Sequence, residues 1–192
     1  MFVSDVITTH KLAAVLFLVA ALPSAYARDV CLEGLPQSLE KQIAVKFPDY
    51  RIALSADQQL NDAEWNRAYY HPGTCQTVLR ADFDGDHQQD FALFLVKKGG
   101  STPKLVAALA RERNWLVAEL PQWNEHIAGC YVGKAAPGVY EHTAAFEFKP
   151  TTPTERESLA TKNTGIMAGR VESTGVLYAF TEMQWLYVWV SD

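Results

Sequence analysis

The chain has few cysteines, no basic stripe and, beyond its first residues, no long apolar run. Each shortage excludes something. Cys31, Cys75 and Cys130 lie far apart, so the paired spacing of a zinc site is missing. Seventeen basic residues stand against 22 acidic ones, a net charge of −5, which argues against a nucleic-acid partner. After Leu22 no segment is apolar over the ~20 residues a membrane-spanning helix needs. Absent too are a nucleophile elbow, a metalloprotease HExxH helix and a glycine-rich phosphate loop. His71, His87, His126 and His142 are scattered along the chain. Without a convergent set of acid, base and nucleophile, the protein is expected not to be an enzyme.

What is present begins with an export signal. Lys11 precedes the apolar run Leu12–Leu22, and Pro23-Ser24-Ala25-Tyr26-Ala27 supplies the small residues of a cleavage site. Residues 1–27 therefore read as a signal peptide, and 28–192 as one exported domain, periplasmic or secreted. Export makes a disulfide reasonable. Glycine-containing turns flank Cys75 and Cys130, which favours that pair over the two others.

The domain starts with helical signals. Leu39, Ile43 and Phe47 fall at i, i+4 and i+8 in a segment opening at Leu35-Pro36 and stopped by Pro48. Tyr50–Leu54 reads as a short strand and Ser55–Tyr69 as a second helix. From Thr77 the pattern is that of strands: Thr77–Ala81, Phe91–Val96, Lys104–Arg111 and Trp115–Leu120, joined by short turns. Pro121–Gly138 reads as an extended surface loop, Thr143–Phe148 as a weak strand and Arg156–Ala160 as a short helix. Gly165–Val171, Gly175–Phe180 and Trp185–Val190 close the chain as a meander. In the last strand Trp185, Tyr187 and Trp189 share one face, which is expected to pack under the N-terminal helices. The fold class is thus α+β, an antiparallel meander with N-terminal helices on one face.

Between two of these strands lies Asp82-Phe83-Asp84-Gly85-Asp86-His87-Gln88-Gln89-Asp90. Its aspartates occupy relative positions one, three, five and nine. Oxygen donors so spaced on a tight loop suit calcium, which takes six to eight oxygens. Asp82, Asp84, Asp86 and Asp90 are the expected carboxylate ligands, and Gln88 contributes its backbone carbonyl. Without a cation these carboxylates repel one another by a few kcal/mol, on the order given by Coulomb's law at high effective dielectric. No histidine or cysteine completes the soft set that would favour zinc or copper, although His87 lies nearby, and magnesium would demand a stricter octahedral geometry.

The motif Asp-Phe-Asp-Gly-Asp-x-x-x-Asp followed by Phe-Ala-Leu-Phe-Leu resembles the calcium loop of FG-GAP and VCBS-type repeats of secreted and cell-surface proteins. The resemblance covers Leu79–Val96 and implies a loop joining two strands. It departs from the family at His87, where glycine is usual; it also differs from an EF-hand, which joins helices and would carry glutamate at the position of Leu93. No second copy of the loop occurs, so a propeller of such repeats is not implied. The chain is also similar to small exported bacterial proteins of unassigned function that carry a single such loop. The expectation is an exported calcium-binding interaction module whose partner is another exported protein or a cell-wall component. An inhibitor of a cell-wall-degrading enzyme and a metal-dependent hydrolase are the alternatives.

Overall fold

The computed structural model describes residues 28–190 other than 61, 72, 124, 125 and 174. The expected signal peptide lies outside these residues. Among the described residues the fold is mainly β, with strands paired antiparallel and two short α-helices. None of the described helices is long and apolar enough to cross a membrane.

Helix α1 (Gln37–Lys46) leads into β1 (Tyr50–Ile52), a 3₁₀ turn (Ser55–Gln58) and α2 (Ala63–Tyr69). Strands β2 (Val78–Ala81), β3 (Asp90–Lys97), β4 (Pro103–Arg111) and β5 (Asn114–Leu120) complete the first sheet. Its order is β1-β3-β4-β5, with β2 also paired to β3. The second sheet runs β11-β10-β9-β6, from β6 (Cys130–Ala135), β9 (Gly165–Arg170), β10 (Gly175–Thr181) and β11 (Gln184–Val190). A separate pair joins β7 (Gly138–Glu141) to β8 (Ser158–Thr161).

Strand alternation explains the layering. Phe91, Leu93 and Leu95 of β3 share a buried cluster with Leu39 and Ile43 of α1. The residues between them, Ala92, Phe94 and Val96, share another with Ile166, Val176, Tyr178 and Tyr187 of the second sheet. The continuous apolar run in β3 is thus the mark of a strand covered on both faces. Beyond the second sheet, Leu177, Leu186 and Val188 pack with Leu159 of β8. The buried phenols carry polar partners, as their hydroxyls require. Trp123 Nε1 donates to Tyr178 Oη (2.9 Å) and Gln122 Nε2 to Tyr187 Oη (2.9 Å).

Several expectations are corrected. The aromatic face of the last strand does not meet the N-terminal helices. Tyr187 lies in the core between the sheets, with Trp185 and Trp189 packed against it, because α1 occupies the opposite face of the first sheet. Within the expected loop 121–138, Cys130–Ala135 is a strand, paired with β9 in the register Cys130↔Arg170 to Ala135↔Gly165. The expected helix near 156–160 is replaced by β8, which pairs with β7. No strand forms over 143–148; only the Thr143 amide joins the sheet, donating to the Trp189 carbonyl (2.9 Å). The disulfide is Cys31–Cys75, not Cys75–Cys130. Cys130 is buried, its thiol donating to the His126 carbonyl (3.2 Å).

The expected helix over 55–69 is interrupted, and Asp57 shows why. Its carboxylate accepts from the Leu54 amide (2.7 Å) and from both terminal nitrogens of Arg51 (2.6 and 2.7 Å), holding a tight turn. Burial alone would raise the Asp57 carboxyl, but these hydrogen bonds outweigh it and hold the group below the usual range. A depressed folded value stabilises the protein above the unfolded value near 3.9 and loses that contribution as pH falls through the folded value. Asp57→Asn is therefore expected to cost about 1–2 kcal/mol at neutral pH. The gap from the wild type should shrink towards zero as urea titrations are moved below about pH 4. A gap that is constant with pH would assign the loss to packing instead.

Candidate metal centre

The acidic loop joins β2 to β3 as a connection between paired strands, with Ala81 opposite Asp90 in register. It folds through its own side chains. Asp82 Oδ1 accepts from the Gly85 amide (2.7 Å) and Oδ2 from the His87 amide (2.9 Å). Asp84 Oδ1 accepts from the Asp86 amide (3.3 Å), and Asp86 Oδ1 from the Gln88 amide (2.8 Å). Aspartate favours such turns because its short carboxylate reaches amides a few residues on.

Two residues of the loop have positive φ. Gly85 (φ +82°) is doubly constrained, since a Cβ there would lie 2.9 Å from the Asn163 side chain in the turn after β8. His87 adopts φ +65°. Histidine tolerates this region better than branched or bulky residues. Its ring is 97% exposed and stands 3.8 Å from Asp82 Oδ2.

Asp82, Asp84 and Asp86 each offer an oxygen within 4.8 Å of the others. Calcium–oxygen bonds of about 2.3–2.6 Å place ligand atoms up to about 5 Å apart across the ion, so this spacing fits a divalent hard cation. Each carboxylate oxygen has two lone pairs, and a single amide bond leaves one for a metal. Gln88 donates through its side chain to Asp86 Oδ2 (2.8 Å) and so braces the cluster.

Asp90 has a different setting. Fully buried, it accepts from the Phe83 amide through Oδ2 (2.9 Å) and from the Ala110 amide through Oδ1 (2.7 Å). Ala110 lies beyond the last β4 residue paired with β3, Ala108, so this carboxylate continues the ladder where β3 begins. Burial pushes the Asp90 carboxyl up to about 6, against the lowering effect of the two amides, and the charges of Asp84 and Asp86 add to the rise. It stands outside the three-carboxylate group.

Arg111 is the participant that the sequence did not announce. Its Nη1 lies 2.8 Å from Asp84 Oδ2 and 3.6 Å from Asp86 Oδ2. In the sequence it marks only the end of the Lys104–Arg111 strand. The β3–β4 register, Phe91 opposite Ala108, is what carries the end of β4 alongside the loop. The scattered histidines remain scattered: His126 lines a cleft with Asp57 and Arg170, whereas His142 meets Phe146 and Phe148 edge-on.

No protein-family model, curated protein or solved structure matches this chain.

Proposed function

We propose that this protein is an exported binding module whose acidic loop takes calcium, with no catalytic role for the ion. The observation that carries the reading is the set of three carboxylates, Asp82, Asp84 and Asp86, gathered on a loop between paired strands. An all-oxygen donor set favours a hard cation over zinc or copper. The Gln88 carbonyl adds a donor to this set in the proposal, while Asp90 anchors the base of the loop through the Phe83 and Ala110 amides. Arg111 then shares its carboxylates with the ion or gives way to it. Calcium is a weak activator of bound water, and a binding or structural role suits it better than hydrolysis. The disulfide supports an oxidising compartment, periplasmic or extracellular. The partner is another exported protein or a cell-wall component, met by surfaces that the loop supports.

The test is thermal. At calcium about 100 times its dissociation constant, binding adds about 2.7 kcal/mol, and Tm should rise by about 5–10 °C over the value in chelator. In Asp84→Ala that difference should vanish. Arg111→Gln should show opposed effects, lower stability in chelator and tighter calcium binding, because it removes a competing positive charge. Identical wild-type melting curves in calcium and in chelator would sink the reading.

A further inference from the structure

The outer edge of β5 is occupied by a row of side chains from α1. The β4–β5 hairpin pairs Arg111 with Asn114 and Leu109 with Leu116, which turns the backbone groups of Trp115 and Val117 away from β4. An edge strand of this kind offers unpaired amides and carbonyls to any incoming strand. Here the Gln42 side chain does what a neighbouring strand would do. Its Oε1 accepts from the Trp115 amide (3.1 Å), and its Nε2 donates to the Trp115 carbonyl (2.6 Å). One turn on, Lys46 Nζ donates to the Val117 carbonyl. One turn back, Ser38 Oγ accepts from the indole nitrogen of Trp115 (3.1 Å).

Ser38, Gln42 and Lys46 are spaced i, i+4, i+8, so they form one stripe along the helix. Leu39 and Ile43 form the adjacent stripe, buried on the sheet face. The apolar stripe fixes the helix, and the polar stripe is thereby delivered to the strand edge. The edge needs covering. The strand Asn-Trp-Leu-Val-Ala-Glu-Leu has one charge, Glu119, and no proline. Seven residues with high β-propensity and little charge make a sequence prone to self-pairing.

We infer that the Ser38–Gln42–Lys46 stripe is an edge cap, which withholds β5 from antiparallel pairing with β5 of a second copy of this chain. A second copy is the fitting occupant because pairing about Val117 would set Trp115 opposite Glu119 on both sides of a two-fold axis. The two charged residues then lie apart, with no like-charge contact across the ladder.

The experiment compares the wild type with Gln42→Ala/Lys46→Ala, which keeps a helix-forming sequence and the apolar stripe. Sedimentation velocity over a wide concentration series should show the variant associating into pairs beyond the wild type's state. In dilute, unassociated protein, amide exchange at Trp115 should quicken by about tenfold, the loss of one hydrogen bond's protection. Adding Leu116→Lys, at a side chain 47% exposed, should reverse the association by placing a charge on the edge strand. Association that persists with this lysine would be non-specific and would overturn the inference. So would a folded double variant with wild-type association behaviour. Should the double variant fail to fold, Gln42→Ala alone decides through exchange, and an unchanged Trp115 rate overturns the cap.

Discussion

Asp90→Ala is expected to destabilise the protein by about 3 kcal/mol or more, and to do so whether calcium is present or not. The buried carboxylate accepts one hydrogen bond from the Phe83 amide and one from the Ala110 amide. Alanine leaves both donors without an acceptor, the Phe83 amide in a buried site and the Ala110 amide in a partly buried one. Each orphaned buried amide costs about 1–3 kcal/mol. Phe83, whose amide is one of the two, is 1% exposed and packs edge-on against Trp185 of the second sheet, with ring centroids 6.0 Å apart. Loss of its anchor therefore reaches the interface between the sheets. Asp90→Asn keeps one acceptor oxygen and should lose less. Urea titrations in chelator measure both. A loss below about 1 kcal/mol for the alanine variant would refute the structural role, on the same scale for buried donors. A loss that appears only in calcium would make Asp90 an ion ligand first and a ladder extension second.

The second large effect is expected at the disulfide. Cys31 and Cys75 are separated by 44 positions, and opening a loop of that size returns about 4 kcal/mol of chain entropy to the unfolded state. For a domain of this size the corresponding fall in Tm is about 10 °C. Cys31 is fully buried, and a hydrogen bond from Gln58 Nε2 reaches its sulfur (3.4 Å), so the N-terminal segment is held against the start of the first sheet. Cys31→Ala/Cys75→Ala should reproduce the effect of full reduction. Cys130→Ala should leave the sensitivity to reductant unchanged. A wild-type unfolding midpoint that does not move after verified reduction would defeat the prediction. If Cys130→Ala abolished the sensitivity, the pairing itself would be different.

The two effects concern residues that sequence reading judged differently. Asp90 was legible as important but was given the role of its neighbours, since spacing alone makes four aspartates look alike. Burial separates them. Asp82, Asp84 and Asp86 sit on the partly exposed loop, whereas Asp90 is the first residue of β3 and is fully enclosed. The cysteines carried the opposite problem. Turn composition around Cys75 and Cys130 is local information, while a disulfide depends on which distant segments the fold brings to 4.9 Å between Cα atoms.

Local pattern determined a good deal by itself. The i, i+4 spacing of Leu39 and Ile43 marked α1. The apolar run of Phe91–Val96 marked a strand enclosed on both faces, and the short turns marked the β3–β4–β5 and β9–β10–β11 meanders. The carboxylate cluster was also readable, because residues two apart on one loop stay close however the rest folds. Tertiary structure decided what depends on contacts between remote segments. The pairing of β6 with β9 and of β7 with β8 converts weakly patterned sequence into strands. The division into two sheets sends the aromatic face of β11 into the core between them rather than under a helix. Arg111 beside the acidic loop, and Gln42 on the edge of β5, follow from strand register and helix placement. Such contacts are stabilised by burial and hydrogen bonding that exist only once the chain has closed on itself, so no local window of sequence contains them.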